Sequence, residues 1–594
     1  MKRKIILTVS ILLASVLLVF PLITKRVEAE QDSSRFQQFL WPADANYNGT
    51  LVLAEPYEPP DMQTATSTLS ATHSLGGQLY DPLIYMSIDL KTYLPGLAQS
   101  WEISDDAKTY TFHLVQNATW HDGVPFTSAD VKFTMEVWKQ YHSRIKKVLT
   151  PLDRIETPDN YTVRVVFTKS WTPFMAALTE GHISTAKHLY EGTDILNNPY
   201  NRNPIGTGPF RFKEWVSGDH ITLEKNKDYW RQGQPYVDKV IYRYIPDEVA
   251  RVSAFETGEV HILTANSQMD PTSLRVLGGL PNVTLAYEGT FRLLPVPLPL
   301  IYNLRNPLVN NVKVRQAIAW AIDRDAMIES IYRGLAARMD GFFTNSSPWY
   351  NPNVEKYYPR NADKANQLLD AAGYPKNANG TRFTLVYVYD HSLDIEKKPA
   401  EIVISNLRDV GIEIIEGGGE SVPTWERIFL QHDFDLGSVR YGAGPDPYIG
   451  IGRMYLSTNI GNALFNNGAG YNNSEVDTLW NNIASTVNET KRREYYWDLL
   501  ELTQEELPYF WLIDGSAATQ LVYHNDKLGN VNTWADNLDQ SYHTIYFVEE
   551  AAITTQYATD WALTAGIGAS CLVVGVVAGF FTGRIRYRGK TTVK

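Results

Sequence analysis

Cysteine is nearly absent from this chain: one residue, Cys571, in a sequence of 594. A lone thiol forms no disulfide within the chain, so stability must come from packed cores. Positive charge is also scarce, with 54 Lys and Arg against 66 Asp and Glu. An acidic surface repels nucleic acid and anionic membranes, so a nucleic-acid partner is not expected. The usual signatures of catalysis are missing as well. There is no His-Glu-x-x-His, no Cys-rich metal cluster, no phosphate-cradling Gly loop and no Gly-x-Ser-x-Gly turn. "GGGE" at 417–420 lacks the Lys-Ser/Thr of a nucleotide loop, and "HDFD" at 432–435 reads as the boundary of a following strand. Neither a catalytic residue nor a metal or cofactor is assigned. Acidic residues are numerous enough, however, that a glycosidase-like carboxylate pair stays open.

Long apolar runs stand at the two ends. Basic residues open the chain, and an apolar run from Ile5 to about Ile23 follows, which reads as a secretory leader over 1–29. Ala29 offers the small residue for cleavage, and the length of the run leaves an uncleaved anchor open. At the other end, Trp561 to Gly583 carries no charge, enough helix to span a bilayer. Arg584, Arg586, Arg588 and Lys590 follow at once, which predicts a cytoplasmic tail over 584–594. The small, polar stretch 549–560 reads as a stalk. Everything between is then expected outside the cell. There, 44 basic residues face 65 acidic ones, a net charge of −21. Asn-x-Ser/Thr sequons from Asn48 to Asn488 permit glycosylation, and Gly575, Gly579 and Gly583 are spaced for close helix approach in the membrane.

Aromatic residues are abundant, with 15 Trp and 35 Tyr, which suits large cores and the holding of solutes. A chain this long predicts two or three domains, and strand signals alternate with helix signals, which argues for α/β layers. "KTYTFHLVQ" alternates with Tyr110, Phe112 and Leu114 on one face, so it is predicted as a strand. "TRFTLVYVYD" (381–390), a helix near Pro399–Val410, Gly411 as its C-terminal stop and the strand "IEII" make a βαβ unit. Two helices are read in 310–334 and one in 361–375. The stretch "ATWHDGVPFTSADV" (118–131) looks like chemistry, with Trp120, His121 and Asp122 side by side. Yet Asp122-Gly123 is a turn dipeptide, and Thr127 to Asp130 resembles a capping box for a helix reaching about Tyr141. Having no second ligand or nucleophile near it in sequence, His121 is read as a turn residue.

Several ordered stretches resemble one family, the solute-binding proteins of ABC importers of the dipeptide, oligopeptide and nickel type. They are "LPGLAQSWEISDDAKTYTFHLVQNATWHDGVPFTSADV" (94–131), "NPIGTGPFRFKEW" (203–215), "RYIPDEVARVSAFETGEVHI" (243–262), "NNVKVRQAIAWAIDRDAMI" (310–328) and "YYPRNADKANQLLDAAGYP" (357–375). The resemblance covers roughly residues 48–548. It implies an α/β, two-lobed periplasmic-binding-protein-like fold (type II) with an extra inserted domain, here joined to a single C-terminal transmembrane helix. The expected boundaries are 45–83, 205–298 and 519–548 for lobe I, 84–204 for the insert and 299–518 for lobe II. Solute would be enclosed between the lobes by a hinge motion.

Peptide-binding members of this family carry an aspartate for the ligand's α-amino group in the stretch that matches "VRYGAGPDPYIG" (439–450). Asp446-Pro447 matches the end of that motif, but the amine-binding position is Ala443. The resemblance therefore implies a cleft built by Arg440, Tyr441, Gly442, Ala443 and Asp446, with Trp425, Tyr141 and Tyr302, and without a fixed ion pair for an amine. The expected solute is peptide-like, held largely through its backbone, with a neutral oligosaccharide on the aromatics as the alternative. Implied partners are an ABC permease and ATPase, and the membrane through the C-terminal helix. An anchor at this end, with no lipid-attachment cysteine, suggests an archaeal surface protein. A ligand-sensing receptor or an extracellular hydrolase are the competing functions; the short tail "RIRYRGKTTVK" speaks against the first and the missing motifs against the second.

Overall fold

The computed structural model describes residues 45–548 apart from 47, 88–91, 265–266, 268, 287–296, 344–346, 354–357, 443, 445, 462, 516–520, 525, 530 and 532–541. The expected leader, stalk, membrane helix and tail, with Cys571, lie outside the described residues, as does Ala443. Among the described residues no helix is long and apolar enough to cross a membrane.

Two mixed sheets organise two lobes. The first has seven strands in the spatial order Val283–Ala286, Leu521–His524, Ile262–Leu263, Thr50–Glu55, Lys239–Tyr244, His220–Lys225 and Phe210–Val216. The second has six: Ala337–Arg338, Tyr509–Asp514, Pro297–Tyr302, Leu436–Ser438, Phe383–Asp390 and Ile412–Gly419. The first sheet takes a strand from beyond residue 520, so the chain enters the second lobe before Pro297 and leaves it after Asp514. A separate antiparallel sheet of Ala98–Ile103, Thr109–Leu114, Thr162–Phe167 and Leu152–Asp159 has its own core, built on Trp120, Trp138 and Phe174.

The predicted strand at Thr109–Leu114 buries Tyr110, Phe112 and Leu114 on one face as its alternation requires. The βαβ unit forms with Phe383–Asp390 parallel to Ile412–Gly419. Its helix departs from the sequence expectation, for it begins at Asp394 and takes Pro399 into its interior. Proline has no N–H for the carbonyl four residues back, which is Ile395. The hydroxyl of Tyr332 donates to that carbonyl at 3.0 Å, so the orphaned acceptor is satisfied from a neighbouring element.

The family-like motifs turn out to be framework. In "NPIGTGPF", a side chain on Gly206 or Gly208 would run into the backbone of Leu79, so only glycine lets that loop cross the end of the helix Ser70–Leu79. His121 locks onto the same loop. Its Nδ1 accepts from the Gly206 N–H at 3.1 Å, which leaves the ring proton on Nε2 to donate to the Gly208 carbonyl at 3.0 Å. The Asp130 carboxylate accepts from the Thr127 N–H at 2.9 Å and from the Lys187 N–H at 3.0 Å, capping two helices at once. Asp435 of "HDFD" accepts from the Val386 N–H at 2.7 Å and braces the strand beside it.

The inserted sheet's core reaches onto the second lobe. Trp171 meets Tyr448 edge-on at 5.3 Å, and the Thr172 N–H donates to the Ala484 carbonyl at 2.8 Å. At this junction Asp446 caps the Tyr448 N–H at 2.9 Å and pairs with Arg492 at 2.6 Å, both side chains almost wholly buried.

Two tests follow from these contacts. Removing one partner of a buried ion pair leaves an uncompensated charge and costs roughly 3–5 kcal/mol. Asp446→Ala should therefore lower the urea midpoint markedly, and a change within error would remove the pair from this account. The second concerns acid. Burial, with Arg211 assisting, pulls His121 down to about 4. His261 is likewise drawn to about 4 by burial. A depressed histidine pKa means that the unfolded chain binds protons first. Stability is then complete above about pH 6.5 and falls as pH drops toward 4. Urea titrations from pH 7 to 5, before carboxylates protonate, should show falling stability, and His121→Gln should flatten the slope.

Candidate functional site: the interlobe cleft

In open α/β sheets a ligand crevice forms beyond the carboxyl ends of parallel strands. Both lobes bring such ends together. In the first, Thr50–Glu55 runs parallel to Lys239–Tyr244 and Ile262–Leu263, and the loop beyond Glu55 carries Tyr57. In the second, Leu436–Ser438 runs parallel to Phe383–Asp390 and leads into Val439–Gly442. Tyr57 belongs to one lobe and Arg440 to the other, yet they lie within electrostatic reach. Tyr57 is 43% exposed by area although protein surrounds it, the signature of a side chain facing into a cleft. Burial foremost, with Glu55 adding to it and Arg440 opposing, pushes its hydroxyl up to about 12. The lobes also meet at the cleft's margin, where Lys398 pairs with Asp270 at 3.1 Å.

Beyond Ser438 the backbone sends alternate side chains to opposite sides. Val439 and Tyr441 enter the aromatic core of the second lobe. Arg440 turns the other way and pairs with Glu396, in the first turn of the helix Asp394–Asp409, at 3.3 Å. Both are nearly buried, and burial raises the Glu396 carboxyl while Arg440 holds it down. Arg440 is thus already neutralised.

Tyr441 packs on Phe465 at 5.9 Å, and Phe465 on Trp425 at 5.2 Å, so these three rings make one wall. Trp425 is half-buried on the helix Ser421–Glu426. A side chain on Gly442 would meet nothing within 4 Å, so this part of the backbone faces open space. Trp425, Arg440, Tyr441 and Gly442 are therefore brought into one region.

Three expected site residues are corrected, and the first is Tyr441, which is buried in the aromatic core of the second lobe and offers a solute no open face. Tyr302 is completely buried in the second lobe's core, its hydroxyl donating to the Arg315 carbonyl at 3.3 Å, so it has no surface to offer a solute. Asp446 is taken up by its cap, by Arg492 and by the Tyr496 hydroxyl at 3.3 Å. Its match to the family motif reflects the loop's framework. Tyr141 ends the helix Ser128–Tyr141 half-buried, its hydroxyl accepting from Gln140 at 2.9 Å and its ring packed against the insert's core.

Sequence reasoning missed several neighbours. Tyr57 stands between Pro56 and Pro59, just after the stretch that forms the strand Thr50–Glu55. Phe465, Arg453 of the second lobe, and Arg144 and Glu180 of the insert carry no local signal, because long-range packing alone gathers them. Arg144 pairs with the buried Glu180 at 3.2 Å, and a side chain on Gly444 would touch that same Glu180 carboxylate at 3.0 Å. Among the described residues no group of three or more His, Cys, Asp or Glu is arranged to hold a metal ion.

Comparison with known proteins agrees with this architecture. Residues 92–462 match the family profile described as bacterial extracellular solute-binding proteins, family 5 Middle. An ABC-transporter peptide-binding protein of Brucella ovis is 31% identical over 74% of this chain and 83% of its own length. The oligopeptide-binding protein AppA of Bacillus subtilis, solved with a nonapeptide, superposes with a TM-score of 0.73 at 23% identity, covering 85% of this chain and all of that one. DppA of Helicobacter pylori, solved with the peptide STSA, gives 0.71 at 25% identity over 87% of this chain and 100% of its own. These relatives are solute-binding proteins and not enzymes, and they are bacterial, which lends no support to an archaeal origin. The chain belongs to family 5 of the bacterial extracellular solute-binding proteins.

Proposed function

We propose that this chain captures a peptide-like solute in the interlobe cleft and hands it to an ABC import permease, while a C-terminal helix over 561–583 tethers it to the membrane. In this reading lobe I comprises 45–83, 205–296 and 519–548, lobe II 297–518, and 84–204 is the insert, the strand Pro297–Tyr302 moving the expected 298/299 boundary back by two residues. The observation that carries it is the opposition of strand ends, with Tyr57 facing Arg440 across the space between lobes. Backbone hydrogen bonds at such strand exits suit an extended peptide, whose main chain is the same whatever its side chains. Peptides are bound by the B. subtilis and H. pylori proteins of the same fold. The apolar run before a basic tail supports the tether.

One observation favours a second reading. Trp425 and Phe465, both partly exposed and backed by the buried Tyr441, present aromatic faces of the kind that stacks on sugars. A neutral oligosaccharide is therefore kept as the alternative solute.

The test is a thermal-shift series on the purified full-length chain with tetra-alanine, N-acetyl-tetra-alanine and maltotetraose. A ligand at 100 times its Kd should add about 2.7 kcal/mol of stability. Equal shifts from the free and acetylated peptides are expected, since Ala443 supplies no carboxylate for an amine. A shift with maltotetraose alone would overturn the peptide reading in favour of the sugar.

A further inference from the structure

Arginines that enter the cleft region bring their own carboxylates: Arg440 has Glu396, Arg144 has Glu180, and Arg492 has Asp446. Arg453 does not. It lies on the short helix Gly452–Tyr455, half-buried, and no carboxylate among the described residues is within salt-bridge distance of it. Its Nε donates to the Gly450 carbonyl at 3.1 Å. Its two terminal nitrogens have no hydrogen-bond partner among the described residues, and neither is sealed from solvent.

The surroundings set this guanidinium where the second lobe meets the insert, beside the loop 439–442 that borders the cleft. Its carbon sits 5.8 Å from the Tyr441 ring and 5.9 Å from the Phe465 ring, two members of the aromatic wall. Those distances are at the outer limit of a cation–π contact, a poor substitute for a counter-ion. Facing it from the insert are Arg144 and Glu180. Glu180 is already bound to Arg144, so the group of three keeps one positive charge in excess. Burial, with Arg144 pressing the same way, draws Arg453 down to about 10, and it remains charged at neutral pH.

We propose that Arg453 is the anion-recognising group of this cleft, so that the solute is one with a carboxylate, seated beside the aromatic wall, and is held by that acidic end instead of by an amine. The inference rests on the reading that the interlobe cleft is where solute binds. A half-buried guanidinium with no carboxylate beside it among the described residues is incompletely compensated, and an incoming carboxylate would accept two parallel hydrogen bonds from its outer edge. The same chain has Ala443 where amine-binding relatives place an acid. Loss of the fixed anion and gain of a cation with no carboxylate beside it among the described residues point to the same choice of ligand. An isolated excess cation is also out of keeping with a net charge of −21 for residues 30–560, which would otherwise disfavour an anionic solute.

The experiment uses two matched pairs of probes on the full-length chain, measured by calorimetric titration. They are tetra-alanine against its C-terminal amide, and tetragalacturonate against its methyl ester. Wild type should bind the acid of one pair about 10- to 100-fold more tightly than its neutral partner. Arg453→Met should abolish that preference, and Arg453→Lys should restore part of it. Without ligand, the methionine variant should melt no lower than wild type, because no ion pair is broken, and that separates recognition from folding. The proposal is overturned if the amide or ester binds as well as its acid, if Arg453→Met retains the preference, or if neither acid binds. Which pair binds reports separately on the peptide reading. A preference for tetragalacturonate that depends on Arg453 would sink that reading and leave this one standing, and peptides bound without regard to amidation would do the reverse.

Discussion

An arginine carried into the space between two lobes must bring a carboxylate with it, because an unpaired buried charge costs several kcal/mol. Much of the cleft's construction obeys that constraint. Arg440 leaves the strand Leu436–Ser438 and finds Glu396 on the following helix of the same lobe. Arg492, on the long helix Glu489–Glu506, finds Asp446 in the loop beyond that strand. Arg144 and Glu180 pair within the insert, close against Gly444 of that loop. The segment 439–453 is thereby held from its own lobe on two sides and met by the insert on a third. Only a segment so restrained can keep a guanidinium such as Arg453 waiting in place, since a flexible one would let it swing out to water.

The same economy governs the framework. Glycines at 206 and 208 let one loop cross the end of a helix, and His121 pins that loop from the neighbouring sheet with a fixed tautomer. Tyr332 supplies the hydrogen bond that Pro399 removes from its helix. In each case a local departure from regular structure is balanced by one polar group from a distant part of the chain. His121 and Asp130, which resemble catalytic residues in sequence, are engaged in this work.

Contact between the lobes at the margin is light by comparison. Lys398 and Asp270 are partly exposed, and a pair of that kind contributes at most about 1 kcal/mol. The insert's contacts with the second lobe combine packing of the buried Trp171 ring against the half-buried Tyr448 with hydrogen bonds from Thr172 to the Ala484 carbonyl. The balance of strong and weak contacts suits an opening in which the first lobe's edge separates while the insert's junction holds.

By itself the sequence determined the class of fold, the strand at Thr109–Leu114, the βαβ unit at 383–419, the cap at Thr127, and the structural part played by His121. Those features depend on neighbours within a few residues, where alternation, caps and turn dipeptides speak directly. It also suggested Trp425, Arg440, Tyr441 and Gly442, because all follow from one motif and one aromatic near it. Only the tertiary structure decided that Tyr302 and Tyr441 are core, that Asp446 belongs to Arg492, that Tyr57 comes within reach of Arg440, and that Phe465 and Arg453 gather beside Tyr441. Burial and ion pairing are settled by residues tens to hundreds of positions apart, and spacing along the chain carries no record of which arginine will meet which carboxylate.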